Sequence, residues 1–152
     1  MQNRTFYNEI LTEHNLHPEH KHPLINPTAS QRGVNPSCGV DVTLQLSIGE
    51  DGVIEDGAFI GDGCAISQAS ADMMLNLVIG RTTEEAIALK DVFMKMIKGK
   101  VTEEELEMLE ESSALQDISH MPARVKCAVL GWRTLEQILQ NRDGGEVTTE
   151  KE

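Results

Sequence analysis

An alternation of apolar and polar residues over positions 40–48 constrains the fold more than any other feature of this sequence. Polar residues separate the apolar positions, which are Val40, Val42, Leu44, Leu46 and Ile48. This period of two predicts a β-strand with one buried face. Residues 49–52, Gly-Glu-Asp-Gly, are typical of a turn, and residues 53–60 can return as the second strand of a hairpin.

Helical patterns follow the hairpin. We expect Ser67 to cap a helix that runs to about Ile79 and ends at Gly80. The elements expected after it are a helix with a capping box at residues 82–85 and an end at Gly99, a short acidic helix from Thr102, a loop over 114–122 and a last helix over about 123–140. A hairpin followed by helices predicts the α+β class, with a small antiparallel sheet of about three strands packed against several helices.

The chain organisation is that of one domain over residues 1–142. Residues 5–14 carry apolar side chains at helical spacing and predict a short helix. Residues 15–30 are mostly polar and contain three prolines, so they predict an irregular arm. Residues 143–152 predict a disordered acidic tail.

Composition excludes some classes of function. The net charge of −12 argues against nucleic acid and anionic membrane surfaces as partners. The first residues lack the apolar segment of a secretory signal, and the apolar stretches elsewhere are too short to span a bilayer. These features predict a soluble, cytoplasmic protein whose thiols stay reduced.

Three cysteines are the main candidates for chemistry. Cys38 and Cys64 stand next to glycines, and Cys127 lies near the start of the last predicted helix. Three cysteines cannot all form disulfides within one chain, and glycine neighbours leave a thiolate uncrowded. A hairpin brings its two ends together, so Cys38 and Cys64 are expected to be neighbours. A helix N-terminus would lower the thiol pKa of Cys127.

Three thiolates with one further donor form the tetrahedral set that zinc or an iron–sulfur species prefers. The alternative is that each cysteine is a small buried apolar residue. The spacing of the cysteines does not decide between these interpretations, because none of the three lies in a Cys-x-x-Cys motif.

Each cysteine lies in a distinctive segment: Asn-Pro-Ser-Cys-Gly at 35–39, Gly-Asp-Gly-Cys-Ala-Ile-Ser-Gln-Ala-Ser at 61–70 and Pro-Ala-Arg-Val-Lys-Cys-Ala at 122–128. These segments resemble the signature segments of the IscU/SufU family of iron–sulfur cluster assembly proteins, which includes the N-terminal domain of NifU. The resemblance extends from about residue 5 to 140. It is closest to the SufU branch, since Lys126 stands where IscU-type proteins have a ligand histidine and residues 81–116 resemble the SufU insertion.

The resemblance implies an IscU-like fold, a zinc ion, and transient iron or an iron–sulfur cluster. It also implies that the protein receives persulfide sulfur from a cysteine desulfurase of the SufS type and works with other Suf assembly proteins. By matching position, Cys38 is the sulfur acceptor, Cys64 and Cys127 are further metal ligands, and Cys127 is the second candidate for the acceptor. Such a protein is a sulfurtransferase-like accessory or a scaffold rather than a conventional enzyme.

One position departs from the family pattern. The family places an aspartate two residues after the first cysteine as the fourth ligand, and this chain has Val40 there. Asp41 is the nearest carboxylate, but strand alternation points it away from the site unless a one-residue bulge intervenes. We retain Asp41 as the candidate ligand. Water, His120 or a residue of a partner are the alternatives.

Two other functions remain open: a purely structural zinc site, and a metal-free thiol enzyme in which His120 acts as a base for Cys127. Arg124 is a candidate contact for the thiolates or for the desulfurase. Four histidines cluster near the arm, where they could either bind a metal or belong to a mobile, solvated segment; they are His14, His17, His20 and His22.

Overall fold

The structure is a computed structural model that describes the backbone of residues 2–140 and 146–148, and the side chains of residues 9–37 and 39–140. It confirms the α+β class. In chain order the elements are α1 (Gln2–Leu16), β1 (Ala29–Asn35), a 3-10 turn (Pro36–Cys38), β2 (Val40–Ile48), β3 (Ile54–Asp62), α2 (Ala65–Val78), α3 (Thr83–Ile97), α4 (Glu103–Met108), a 3-10 segment (Glu110–His120), α5 (Pro122–Gln140) and β4 (Glu146–Thr148).

The sheet has the strand order β3-β2-β1-β4. β2 and β3 form the predicted antiparallel hairpin, in which Leu44 pairs with Phe59. The sequence did not predict β1, whose first two residues fall in the expected irregular arm, because its sequence lacks a clear apolar alternation. Instead β1 is stabilised by pairing antiparallel with β2 along its whole length.

The fourth strand lies within the predicted disordered tail. Residues Glu146–Thr148 pair in parallel with β1, opposite Arg32 to Val34. A strand of three residues carries little signal in sequence, since its order comes from a neighbouring edge rather than from its own side chains. The remaining residues of the predicted tail, 143–145 and 149–152, lie outside the described residues.

The helices begin close to where the sequence placed them, with two differences. Capping boxes are present at Thr82 with Glu85 and at Thr102 with Glu105, as predicted. The cap of α2, however, is Cys64 rather than Ser67. The predicted loop over 114–122 is mostly 3-10 helix, which buries Leu115 and Ile118 against the other helices.

The core lies between one face of the sheet and the helices. Trp132 of α5 and Phe93 of α3 stack with their ring centroids 5.0 Å apart. The largest fully buried side chains of the same core include Phe59, Leu46, Ile54, Met73, Met74, Leu75 and Met96. The methionines of α2 and α3 therefore serve in packing. In the described chain, no helix is long and apolar enough to cross a membrane.

The histidines near the arm are not a metal cluster, and two of them are fixed to the domain. His14 is buried, with Nδ1 2.6 Å from Asp72 Oδ2 and Nε2 2.8 Å from Glu111 Oε1. The backbone N–H of His20 donates to Asp72 Oδ1 at 2.9 Å, and its ring lies 2.7 Å from Asn76 Oδ1. The arm is therefore held against α2 at His20 rather than solvated there.

Candidate metal and thiol site

Cys64 lies between the end of β3 and the start of α2, and its thiol is part of the helix cap. Its Sγ accepts the backbone N–H of Ser67 at 3.4 Å, and the Ser67 hydroxyl donates to the Cys64 carbonyl oxygen at 3.0 Å. The sequence predicted that Cys127 would gain from a helix N-terminus, but Cys127 lies in the second turn of α5. Cys64 is the cysteine that caps a helix, where free N–H groups favour a thiolate.

Cys64 and Cys127 are neighbours. Burial acts to raise the pKa of the Cys64 thiol, but hydrogen bonds from Ser67 and from the Cys127 side chain outweigh it, so that this pKa lies below its usual value. Cys127 is 4% exposed, and its Sγ also lies 3.7 Å from the Ala123 carbonyl oxygen. The structure thus places two of the three predicted cysteines in one site, within a pair of packed helices.

Cys38 belongs to the turn between β1 and β2. Its backbone ends a single 3-10 turn, which Gly39 closes with φ of +68° and an N–H bond to the Pro36 carbonyl oxygen. This left-handed backbone favours glycine. The side chain of Cys38 lies outside the described residues, but Pro36, Ser37 and Gly39 are all exposed.

Val40 connects this turn to the other cysteines. It is 2% exposed and packs in a small cluster with Val42, Leu130 and the partly buried Cys64. Cys38 is only two residues from Val40, so its backbone lies next to the start of β2, whose first residue belongs to the cluster that Cys64 packs against. An apolar side chain therefore lies in the cluster beside Cys64, at the position where the family resemblance implies a carboxylate.

The structure places Asp41 away from the thiols. Its carboxylate receives hydrogen bonds from Arg32, at 2.9 Å from Nε and 2.7 Å from Nη2, and that guanidinium holds the Asp41 pKa below its usual value. The strand register is regular at Asp41, which pairs with Asp62, and the irregularity between β2 and β3 is near Ser47. The bulge that would have turned Asp41 toward the site is absent from the described pairing.

The other two candidates, a base and a cation, differ from Cys127 in their exposure to solvent. His120 and Arg124 are both exposed, whereas Cys127 is buried. This arrangement gives no support to a base-assisted thiol enzyme, because a base has to reach the proton it removes. Apart from Cys38, whose side chain is not described, no group of three potential metal ligands is present in the described residues.

Sequence reasoning missed two residues that shape the site. Ser67 donates to the Cys64 sulfur, and Ser70 Oγ donates to the Ala128 carbonyl oxygen at 2.7 Å, which fixes α2 against α5 beside Cys127. The spacing Cys-x-x-Ser is a signal for the first, since a capping residue accepts the N–H three positions later. The second bond is between distant segments and has no local signal.

A model of the NifU-like N-terminal domain matches residues 6–128 of this chain. The chain belongs to this family. This family member is 35% identical over 141 residues to the zinc-dependent sulfurtransferase SufU of Bacillus subtilis (strain 168), an alignment that covers 93% of this chain and 94% of that relative. It is 38% identical over 137 residues to the iron–sulfur cluster assembly scaffold protein IscU of Thermotoga maritima, covering 90% and 94%.

The fold of this NifU-like domain is also similar to that of solved structures. The crystal structure of a putative iron–sulfur cluster assembly scaffold protein for the SUF system, from Fervidobacterium islandicum AW-1, superimposes with a TM-score of 0.82. The two sequences are 34% identical, and the match covers 90% of this chain and 98% of the other. The family resemblance and the IscU/SufU-like fold are thereby confirmed.

Proposed function

We propose that this protein assists iron–sulfur cluster assembly by accepting persulfide sulfur from a cysteine desulfurase of the SufS type. The contact between Cys64 and Cys127, beside the turn that carries Cys38, is the observation that carries the proposal. The relatives' names support it, since they describe a zinc-dependent sulfurtransferase and cluster assembly scaffolds. We place this activity in the cytoplasm, together with other Suf assembly proteins.

The donor set fits zinc. Cys38, Cys64 and Cys127 would hold the ion as three thiolates, which zinc prefers, and Val40 leaves the fourth position without a carboxylate from this chain. Bound zinc would keep the thiols deprotonated and mask the acceptor until a desulfurase arrives. An iron–sulfur cluster on the same cysteines would be cargo of the protein.

Cys38 is the acceptor we favour. Its neighbours in the turn are exposed, whereas Cys127 is buried in α5 and Cys64 is engaged in the cap of α2. The Cys38 thiolate attacks the outer sulfur of the desulfurase persulfide and forms a new S–S bond. The S–S bond to the desulfurase cysteine breaks, and that cysteine leaves as a thiolate with the electron pair. Arg124, exposed in the first turn of α5, is suited to contact the desulfurase.

Incubation with cysteine and a SufS-type desulfurase tests the proposal. We expect one added sulfur on Cys38 by peptide mass spectrometry, and faster desulfurase turnover. Cys38→Ala should lose both effects, whereas Ser37→Ala, in the same turn, should keep them. Sulfur on Cys127 with full stimulation by Cys38→Ala would assign the scaffold role instead. If no cysteine acquires sulfur, the structural-zinc alternative is correct.

A further inference from the structure

Asn35 carries a buried amide that has no hydrogen-bond partner among the described residues. It is the last residue of β1 and stands three positions before Cys38. Its side chain is 0% exposed, and neither Oδ1 nor Nδ2 has a hydrogen-bond partner within the described part of the chain. Leaving such a group unpaired costs about 1–3 kcal/mol, so a native protein rarely retains one without a role.

The strand register places Asn35 on the face that carries the thiol site. Asn35 pairs directly with Val40, and directly paired residues of antiparallel strands project to the same face. Val40 belongs to the buried cluster with Val42 and Leu130 against which Cys64 packs. Two residues earlier on that face, a Cβ added to Gly33 would lie 2.3 Å from Thr134 Oγ1 and 3.3 Å from a Leu130 methyl carbon, so α5 covers it.

A local role does not account for this amide. Asparagine before a helical turn commonly accepts an N–H bond from the turn. Asn35 precedes the 3-10 turn Pro36–Cys38, yet its side chain makes no cap bond, and its ψ of 89° lies below the range of a regular strand. The carboxamide is directed into the protein instead of toward the turn.

We propose that Asn35 is a positioning residue whose Nδ2 group donates a hydrogen bond to a cysteine sulfur of the site when that sulfur is a thiolate. The proposal deepens the proposed function and rests on it. A donor role suits the chemistry better than ligation through Oδ1, since zinc ligands in proteins are thiolate, imidazole and carboxylate. Three thiolates carry excess negative charge, and a neighbouring N–H donor stabilises it without adding more.

Two variants and one control test this inference. Asn35→Leu removes the amide at similar volume, and Asn35→Asp keeps the shape while removing the N–H donors. Gln31→Leu is the matched control, because Gln31 is a buried amide on the same face of β1 and is 1% exposed. Urea unfolding and circular dichroism establish that each variant is folded.

Two readouts need no desulfurase, so they test the role of Asn35 even if the protein proves not to accept sulfur. The first is the zinc dissociation constant from competition with a chromophoric chelator. The second is the pH profile of iodoacetamide alkylation of each cysteine in zinc-free protein, mapped by mass spectrometry. We expect Asn35→Leu to weaken zinc binding about tenfold. Alkylation of Cys38 or Cys64 should move to higher pH, with Gln31→Leu unchanged.

Asn35→Asp discriminates between donation and ligation. A carboxylate cannot donate and adds negative charge, so we expect zinc binding at least as weak as in Asn35→Leu. Tighter zinc binding by Asn35→Asp would establish oxygen ligation and overturn the donor role. Unchanged alkylation profiles in both Asn35 variants, or equal shifts in Gln31→Leu, would also overturn it.

Discussion

Ser70 donates a 2.7 Å hydrogen bond from its hydroxyl to the carbonyl oxygen of Ala128, and both groups are buried. This bond joins α2 to α5 one residue after Cys127 and six residues after Cys64. Nearby, a Cβ added to Gly131 would lie 3.6 Å from Ala71, so the two helices are close along this contact. The bond therefore fixes the relative position of two thiols that belong to different helices.

Ser70→Ala should lower the free energy of unfolding by about 1 kcal/mol, the net contribution of a typical buried hydrogen bond. It should also weaken zinc binding, because the bond no longer holds the Cys64 and Cys127 thiols at a fixed distance from each other. Ser113→Ala is the control, since its exposed hydroxyl donates only to the nearby Glu110 carbonyl oxygen. Urea unfolding and chelator competition measure both effects. Equal effects of the two substitutions would contradict the role of the Ser70 bond.

A shared metal site predicts that each cysteine is needed. Cys64→Ser and Cys127→Ser should each reduce bound zinc well below one equivalent and lower the melting temperature, because metal binding contributes folding free energy. Metal analysis of protein purified without a histidine tag measures the first effect, and calorimetry the second. Full zinc occupancy in Cys64→Ser would rule out the shared site.

The positions of Val40 and Asp41 give a paired prediction. Val40→Asp places a carboxylate on the face that packs against Cys64 and should slow zinc loss to a chelator. Asp41→Ala removes only an exposed ion pair with Arg32 and should leave zinc loss unchanged. If Asp41→Ala released zinc and Val40→Asp had no effect, position 41 rather than position 40 would be the one that faces the metal.

His14 predicts a pH dependence of stability. Burial acts to lower its pKa, but the hydrogen bonds to Asp72 and Glu111 outweigh it and hold the pKa above the usual 6.5. A group whose pKa is higher in the folded than in the unfolded protein makes its full contribution to stability at any pH below its pKa in the unfolded protein. That contribution is lost as the pH rises through the pKa of the group in the folded protein.

His14→Gln should therefore lower the free energy of unfolding by about 1–2 kcal/mol at pH 6 and by less at pH 9. Urea unfolding at the two pH values measures the difference. His17→Gln is the control, because His17 is an exposed residue of the adjoining segment. A His14→Gln cost that is the same at both pH values would show that the imidazole is not charged in the folded state.

Several features could be predicted because their signals are local. The alternation of residues 40–48 defines a strand, and two Thr-x-x-Glu patterns define helix starts, since each depends on side chains within a few positions. The three cysteine segments indicated the family for the same reason, as each signature is contiguous. The face of Val40 and the opposite face of Asp41 also follow from strand periodicity alone.

The tertiary structure decided what lies between distant segments. β1 and β4 exist through pairing with other strands, and Asp72 and Glu111, from two other elements, pair with the ring nitrogens of buried His14. The sequence identified three cysteines, but only packing of α2 on α5 brings Cys64 to Cys127. Tertiary packing also buries Asn35 with no hydrogen-bond partner for its amide among the described residues. Local periodicity determines which face a residue occupies, whereas the contacts of that face depend on packing between elements that no local pattern encodes.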